Sequence, residues 1–592
     1  MSYRALARLR FFGLGCGGEG IGSVEHAAED SANDWPTRGA VNVPPGAGTP
    51  DDRPWWSQYG LGQPHGLALE AETALEMFRA AVLRSPDHVA VRYFDGALTL
   101  EQLDAHSDAL AVALQTGGFF AGDRLAIYLQ NVPQWLIALL GAWKAGGVAV
   151  AVNPMNRERE LDYLLRDSGA SVLVCHPGLH DLVARSVVPD TAVTRVLTTS
   201  ELDFQERDDP RVLGGVTQET PEGTEDLRAL LHAHAGALPE PVALSADDVA
   251  ILTYTSGTTG VPKGAMNTHR NIVFTSQTYR DWIELDQGDV VLGAAPLFHI
   301  TGLIGHIGLC LQLPATLVLT YRFEPAVMRD AVIEHRPTFV VMAITAFGAW
   351  MKLDGASPTD FSSLRKGYSG GAAVPPAMRD LVREQLGLEV HQAYGLTETT
   401  SPSHMQPLNS KARVDEVSGA LSVGVPVYDT VVRIVDEQGT ELPAGEVGEI
   451  EIEGPQVIPG YWGKPEESAE SLPGGRLRTG DVGLMSPTGW FFIVDRKKDM
   501  INASGYKVWP REVEDVLYTH SAVREAAVVG APHEYRGETV RAFVSLRKGT
   551  STTPEELITY CRERMAAYKY PREVVLVDDS RRPSPARSCD AT

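Results

Sequence analysis

Residues 254–264 read YTSGTTGVPKG, and this stretch decides the interpretation of the whole chain. The apolar residues 249–252 before it predict a short buried strand. Glycines allow backbone N–H groups to approach phosphate oxygens closely, and hydroxyl groups and a lysine add further donors. We therefore predict a phosphate-binding loop; the alternative is a flexible surface loop. The candidate ligands are Thr255, Ser256, Gly257, Thr258, Thr259, Gly260 and Lys263.

This loop is not a Walker A loop. That motif requires Gly-Lys-Ser/Thr, whereas here Pro262 precedes Lys263 and Gly264 follows it. The complete string instead resembles the phosphate loop of the adenylate-forming superfamily: acyl-CoA synthetases, peptide-synthetase adenylation domains and beetle luciferases. The resemblance covers about residues 65–579, with the motifs in the expected order. It implies ATP, Mg²⁺ and the co-substrate CoA.

Size and composition bound the possible functions. The chain has 592 residues, which predicts more than one domain, and its 43% hydrophobic and 22% charged residues are typical of a globular enzyme. The net charge of −24 argues against nucleic acid as a partner. No apolar run is long enough to span a bilayer. The 5 cysteines are scattered without metal-ligand spacing, so we expect a reducing, cytoplasmic location.

Residues 1–60 differ from the rest of the chain. Arg4, Arg8 and Arg10 precede an apolar piece that is too short for a signal peptide, and a Gly- and Pro-rich stretch follows. We predict a disordered extension, or a start codon chosen too early.

Helical and strand periodicities alternate from residue 72 onward. Helices are predicted over 72–84, 100–114 and 133–144, and strands over 89–94, 124–129, 147–152 and 172–175. This alternation predicts an α/β fold with a parallel, helix-covered sheet. The acidic residues 201–240 are interpreted as a long connection. With the resemblance, the expected architecture is a large multi-lobed N-terminal domain over 61–497 and a small, mobile α+β lid over 498–592.

The family resemblance assigns roles to residues after the phosphate loop. His299, in PLFHITG, lines the expected acyl site. It stands where peptide-synthetase domains usually carry an aspartate, which favours a substrate without an α-amino group. Ala343, Thr345 and Phe347 are the expected wall of the acyl pocket, with plain core packing as the alternative. Further nucleotide-binding residues implied by the family are Gly370, Gly371, Ala372, Tyr394 and Gly395.

The motif YGLTE supplies two further candidates, Thr397 for the α-phosphate and Glu398 for Mg²⁺, which prefers hard oxygen ligands. In RTGD, Asp481 is expected to accept hydrogen bonds from the ribose hydroxyls. By the same resemblance Arg496 contacts the ribose, Lys498 is the interdomain hinge, and Gly505 belongs to the loop that faces the site during thioester formation.

The end of the chain departs from the family, which closes with LPKT, two residues and GKI. Residues 580–592 instead read SRRPSPARSCDAT, and no lysine follows Lys569. One allowed coding of residues 580–591, with one cytosine restored before it, translates as LPKTxPGKILRR. We infer a one-base deletion in the genome or in the read, which puts Arg587 in place of the catalytic lysine. Because arginine is planar and bulkier, we predict weaker adenylation, by about a hundredfold or more.

The resemblance thus implies an AMP-forming acid–thiol ligase, most similar to bacterial long-chain and medium-chain fatty acyl-CoA synthetases. It would convert a fatty acid to an acyl-adenylate with ATP and then to acyl-CoA. Two alternatives stay open: an acyl-adenylating enzyme that loads a carrier protein, and a nucleotide-binding remnant impaired by the missing lysine. Peripheral membrane association and a homodimer also stay open.

Overall fold

A computed structural model describes residues 53–577 except residues 61, 217, 256–260, 417, 497–499, 504–505, 534–536 and 566–568. Residues 1–52 of the extension predicted over 1–60 lie outside the described residues, as does the altered tail from residue 580. The first described element is a 3₁₀-helix at Pro54–Gln58 that buries Trp55, so the prediction of a disordered extension reached too far, to residue 60.

The α-helices of the described residues are α1 Ala74–Arg84, α2 Leu100–Thr116, α3 Pro133–Lys144, α4 Glu158–Ser168, α5 Pro177–Leu179, α6 Arg185–Val187, α7 Pro210–Leu213, α8 Leu227–Ala233, α9 His269–Trp282, α10 Ile300–Gly302, α11 Leu309–Gln312, α12 Pro325–His335, α13 Ile344–Met351, α14 Pro376–Leu386, α15 Pro465–Ser471, α16 Pro510–Tyr518 and α17 Pro554–Arg562.

The strands are β1 Val89–Tyr93, β2 Gly96–Thr99, β3 Arg124–Tyr128, β4 Val148–Ala151, β5 Val172–Cys175, β6 Arg195–Thr198, β7 Glu225–Asp226, β8 Val249–Thr255, β9 Lys263–Thr268, β10 Val290–Leu292, β11 Thr316–Leu319, β12 Phe339–Met342, β13 Lys366–Ser369, β14 Val390–Tyr394, β15 His404–Met405, β16 Val425–Pro426, β17 Val431–Val435, β18 Gly448–Glu453, β19 Leu477–Met485, β20 Phe491–Arg496, β21 Ile501–Ala503, β22 Tyr506–Val508, β23 Val523–His533, β24 Gly537–Leu546 and β25 Glu573–Leu576.

Two large sheets form the core of the N-terminal part. The first has the order β16-β15-β14-β13-β12-β10-β11-β1-β2, and the second has the order β7-β6-β5-β3-β4-β8-β9. Neighbours from β14 to β1 pair in parallel, as do those from β7 to β8. In parallel sheets both faces are covered by helices, which explains why β4 reads as continuous apolar sequence and is buried at every residue.

Local sequence signals place the helices well. Thr73 caps α1, and Glu76 returns the hydrogen bond in a capping box, so the helix begins where the periodicity predicts. The helix α3 is buried along its whole length. The prediction for residues 201–240 was incomplete, because α7, β7 and α8 lie within this connection and bury Leu213, Leu227 and Leu231.

Two smaller sheets complete the described fold. Strands β17 to β20 form an antiparallel sheet, and β21 to β25 form the sheet of the C-terminal part with α16 and α17 packed on it. Val513, Leu517, Val544 and Leu557 belong to a separate core there. The predicted α/β fold with a smaller C-terminal domain is confirmed. Across the described residues, the structure contains no helix with the length and apolar composition required to cross a bilayer.

Candidate active site

A hairpin carries the predicted phosphate loop. Strands β8 and β9 pair antiparallel, and Thr255 lies opposite Lys263. The predicted ligands Ser256, Gly257, Thr258, Thr259 and Gly260 lie between these strands, outside the described residues. The Lys263 side chain is 9% exposed, and its Nζ lies 5.1 Å from the centre of the Tyr461 ring. The hairpin therefore fixes the position of the lysine at the base of the loop.

Glu398 meets the same tyrosine from another part of the chain. It lies in the 3₁₀-helix Thr397–Thr399, and its Oε1 accepts a hydrogen bond of 2.8 Å from the Tyr461 hydroxyl. Burial raises the pKa of Glu398, while the hydrogen bonds from Tyr461 and Thr255 and the charge of Lys263 act in the opposite direction. Lys263, Tyr461 and Glu398 thus form one cluster, which we call the lysine–glutamate cluster.

Backbone hydrogen bonds bring the segment with Tyr461 to β9. Met266 donates to the Gly460 carbonyl at 3.1 Å, and Trp462 donates to the Gly264 carbonyl at 2.8 Å. These bonds run along β9, so Tyr461 is held beside the residues that follow the phosphate loop. Tyr461 was not among the residues predicted for the site, so the sequence analysis missed its contact with Glu398.

Asn267 was also missed. It is fully buried on β9, and its Nδ2 donates to the Thr397 carbonyl at 3.0 Å and to Thr400 Oγ1 at 2.9 Å. Its Oδ1 accepts from Thr253. Thr397 and Glu398 are therefore held against the hairpin. A fully buried asparagine carries no periodic signal, so the sequence offered only its closeness to the loop.

A cavity of about 650 Å³ is lined by residues of both the N-terminal and the C-terminal parts; its lining reaches Leu396 but does not include the lysine–glutamate cluster. Its N-terminal wall contains predicted nucleotide-binding residues from the carboxyl ends of β13 and β14 and from β19: Gly371, Ala372, Tyr394, Gly395 and Asp481. The Tyr394 hydroxyl donates a hydrogen bond of 2.7 Å to Asp481 Oδ2. Ligands of open α/β sheets commonly bind at the carboxyl ends of parallel strands, so the cavity lies where a nucleotide is expected.

Two glycines explain the shape of this wall. A Cβ on Gly370 would lie 3.0 Å from the Ala393 carbonyl oxygen, so the chain passes close to β14 there. Gly371 has a φ of +75°, which favours glycine, and a Cβ on it would meet open space. The pair therefore turns the chain tightly at the end of β13 and leaves the cavity open.

The C-terminal part supplies the opposite wall. Arg511 donates from its backbone N–H to Asp495 Oδ2 at 3.0 Å and from Nη1 to the Ile493 carbonyl at 3.1 Å, which joins α16 to β20. Glu514 also lines the cavity, and burial raises its pKa to about 7. Asp481 pairs with Arg496 in the register of β19 and β20. The side chain of Arg496, and the residues Lys498 and Gly505, lie outside the described part, so their roles stay predictions.

The expected acyl side of the site lies at the carboxyl ends of β10 and β12. His299 is exposed, although protein surrounds its ring closely enough to lower its pKa by desolvation, and its Nδ1 accepts from the Thr301 N–H at 3.4 Å. Ala343 and Thr345 are exposed at the end of β12. Phe347 is fully buried in the core beneath, so the prediction that it lines the pocket was wrong.

The lysine–glutamate cluster fits a magnesium ion that is held jointly with a nucleotide. Among the described residues no group of three or more His, Cys, Asp or Glu side chains is placed to bind a metal. Mg²⁺ in nucleotide sites is usually held by one or two carboxylates plus phosphate oxygens and water. Glu398, half-buried and bonded through Oε1 to a neutral donor, is a carboxylate of the kind that such a site would need.

Comparison with protein families agrees with this geometry. Residues 78–462 match the AMP-binding enzyme family, and residues 512–583 match the AMP-binding enzyme C-terminal domain. The chain therefore belongs to the AMP-binding family of adenylate-forming enzymes, as the motifs predicted.

Within that family the chain is similar to curated acid–CoA ligases. It is 36% identical over 534 residues to the long-chain-fatty-acid–CoA ligase of Bacillus subtilis (strain 168), covering 88% of this chain and 94% of that protein. It is also 36% identical over 495 residues to the feruloyl-CoA synthase of an Amycolatopsis species, covering 83% and 93%.

Solved structures show the same fold. The ATP-bound MatB of Rhodopseudomonas palustris matches with a TM-score of 0.75 at 28% identity, covering 86% of this chain and 95% of that chain. The anthranilate CoA ligase AuaEII in complex with anthranoyl-AMP matches with a TM-score of 0.77 at 25% identity, covering 87% and 94%.

Proposed function

We propose that this protein activates a fatty acid with ATP to an acyl-adenylate and transfers the acyl group to CoA, which gives acyl-CoA, AMP and pyrophosphate. The observation that carries the proposal is the lysine–glutamate cluster, in which Lys263 and Glu398 both contact Tyr461; the cavity lined by Tyr394, Leu396 and Asp481 supports it. The similarity to long-chain-fatty-acid–CoA ligases supports the choice of acid and acceptor.

The first half-reaction solves a chemical problem, because a carboxylate has no good leaving group. A carboxylate oxygen attacks the α-phosphorus of ATP, and the bond from that phosphorus to the bridging oxygen of pyrophosphate breaks. Negative charge accumulates on phosphate oxygens. Lys263, Thr397 and the hydroxyls of the phosphate loop offset that charge, which is electrostatic stabilisation of the kind that dominates phosphoryl-transfer catalysis.

We assign Mg²⁺ to Glu398, where the ion would neutralise phosphate charge as it does in other nucleotide sites. For this role Glu398 must be ionised, although burial raises its pKa. The Tyr461 hydroxyl and the Lys263 charge both favour the ionised form, so these residues prepare the carboxylate for the cation.

In the second half-reaction the CoA thiol attacks the acyl carbonyl and AMP leaves. We assign residues 498–592 to a lid that rearranges around Lys498 between the two steps. A lid lets one pocket serve two reactions and keeps water from the adenylate. The contact of Arg511 with Asp495 and Ile493 is the N-terminal attachment of this lid in the described arrangement.

Pyrophosphate release from ATP, measured with octanoate, dodecanoate, hexadecanoate and ferulate, tests the proposal. Ferulate is included because a feruloyl-CoA synthase is among the relatives. We expect release that depends on a fatty acid, and acyl-CoA and AMP in equal amounts after CoA is added. Acid-dependent formation of ADP, or release that requires ferulate and ignores fatty acids, would overturn it. Transfer to a carrier protein with no reaction on CoA would instead support the carrier-loading alternative.

One observation favours a second candidate, a binding protein with impaired adenylation. No lysine follows Lys569 in the sequence, and in the family a lysine near the C-terminus bridges the acyl carboxylate and the α-phosphate. The assay should therefore use the chain as printed beside a version in which residues 580–591 are replaced by LPKTxPGKILRR. Nucleotide binding without turnover in the chain as printed, together with turnover in the version that restores the lysine, would favour the binding protein.

A further inference from the structure

The segment that carries His299 is fixed by residues from outside it. Residues 293–299 connect β10 to α10, and this stretch has no regular secondary structure of its own. Its backbone polar groups therefore need partners elsewhere. Those partners decide where the exposed ring of His299 stands relative to the carboxyl ends of β10 and β12.

Asn131 supplies three of these partners, more than any other residue. Its Nδ2 donates to the carbonyls of Gly293 at 3.1 Å and Ala295 at 3.0 Å, and its Oδ1 accepts from the Leu297 N–H at 2.9 Å. Both amide hydrogens and the amide oxygen are thus used on one short segment. The side chain is 4% exposed, so water cannot readily replace these bonds.

The position of Asn131 in the fold makes this contact a link between the two large sheets. It follows β3 in the second sheet, whereas residues 293–299 follow β10 in the first. Its own N–H donates to the Tyr321 carbonyl at 2.8 Å, just beyond β11. One asparagine therefore connects the carboxyl ends of strands from both sheets.

Two further contacts hold the same segment from the other side. His306 lies in the π-helix Leu303–Gly308, and its Nε2 accepts from the Ala295 N–H at 3.0 Å. Burial lowers the pKa of His306 to about 4, so the ring stays neutral and keeps its acceptor at physiological pH. A Cβ on Gly302 would lie 2.1 Å from the Pro296 carbonyl oxygen, so α10 can pack this closely only with glycine.

We propose that Asn131 is a positioning residue for acid activation: its carboxamide fixes residues 293–297 and thereby holds His299 at the acyl end of the site. The inference rests on the proposed function, because it takes His299 to face the acid. It predicts that Asn131 governs affinity for the acyl group and leaves affinity for the nucleotide unchanged.

Gln134 provides a matched control. It lies three residues further on in the first turn of α3, is fully buried, and donates from Nε2 to Thr199 Oγ1 at 3.0 Å and to the Ser200 carbonyl at 2.9 Å. Gln134→Ala therefore removes a buried amide of the same kind, with bonds to another segment. It reports the cost of a lost buried hydrogen-bonding group without a change in the His299 segment.

Calorimetric titration with dodecanoyl sulfamoyl adenosine, a stable mimic of the acyl-adenylate, and separately with ATP, tests the proposal in the full chain without requiring turnover. For Asn131→Ala we expect at least about tenfold weaker binding of the mimic and ATP binding within about twofold of wild type, because the lost bonds serve the acyl end. For Gln134→Ala we expect both affinities within about twofold of wild type, at a similar loss of melting temperature.

Asn131→Asp provides a second readout and a fallback if the alanine variant does not fold. When protonated, the aspartic acid restores one donated bond and the acceptor for Leu297, so binding of the mimic should recover as the pH falls, which a generally loosened protein would not show. Equal loss of mimic and ATP binding in Asn131→Ala, unchanged binding of both, or the same selective loss in Gln134→Ala would overturn the proposal. If the wild-type protein binds ATP but binds the mimic no more tightly than ATP, that result would instead count against the fatty-acid function itself.

Discussion

Replacing Tyr461 by phenylalanine is the most direct test of the lysine–glutamate cluster. The substitution keeps the ring beside Lys263 Nζ and removes the hydroxyl that donates to Glu398 Oε1 at 2.8 Å. The carboxylate then loses a donor that favours its ionised form. Because burial already raises the pKa of Glu398, we expect that pKa to rise further in the variant.

The expected size follows from the type of bond. Hydrogen bonds to charged groups contribute about 1.5–3 kcal/mol, and the half-buried position of Glu398 favours the lower end of that range. We therefore expect the apparent KM for MgATP to rise about tenfold, since about 1.4 kcal/mol corresponds to a factor of ten. The ionised carboxylate is the active form, so activity falls as the pH drops through its pKa. The acid limb of the pH profile should accordingly move to higher pH.

The measurement is steady-state pyrophosphate release over pH 5–9 at varied Mg²⁺, with Tyr59→Phe as the control. Tyr59 also donates a hydrogen bond of 2.8 Å, but to the Pro426 carbonyl. An unchanged acid limb in Tyr461→Phe, with a KM for MgATP equal to that of wild type, would refute the role given to the hydroxyl. If the acid limb moves by the same amount in Tyr59→Phe, the effect comes from a general loosening of the protein and not from the bond to Glu398.

Three further predictions concern other parts of the site. Asp481→Asn removes the charged acceptor of the 2.7 Å bond from Tyr394, so ATP affinity measured by titration should fall about tenfold; unchanged affinity would contradict a nucleotide role for Asp481. Burial raises the pKa of Glu514 to about 7, above its value in an unfolded chain, so this group's contribution to stability is lost as the pH rises from about 4 to 7. The free energy of unfolding of Glu514→Gln, measured in urea, should therefore exceed that of wild type by up to about 3 kcal/mol at pH 8 and by almost nothing near pH 4. A difference that does not change with pH would contradict this prediction. Finally, the version that ends in LPKTxPGKILRR should release pyrophosphate about a hundredfold faster or more than the printed chain, and equal rates would remove the importance given to the tail.

The sequence predicts most of the fold because the signals that matter are local. Periodicity and capping place α1, and α3 begins and ends at the predicted residues. The connection over 201–240 was underestimated, since α7 and β7 are too short to produce a period. Phe347 was misplaced for a related reason: Thr345 and Phe347 are close in sequence, but the turn from β12 into α13 exposes one and buries the other.

For the site, residue types were predictable from motifs, but contacts between distant segments were not. Tyr461 lies far from Lys263 in the sequence, and no periodicity links them. Residues 460–462 bring them together, because they form hydrogen bonds with β9 and act as an extra edge strand on the phosphate-loop hairpin. In such pairing alternate side chains face opposite sides, so a slip of one residue would turn Tyr461 away from Glu398. The register of this short pairing, which places Ala265 opposite Tyr461 and uses the carbonyls of Gly264 and Gly460 as acceptors, is therefore what joins the lysine and the glutamate into one site.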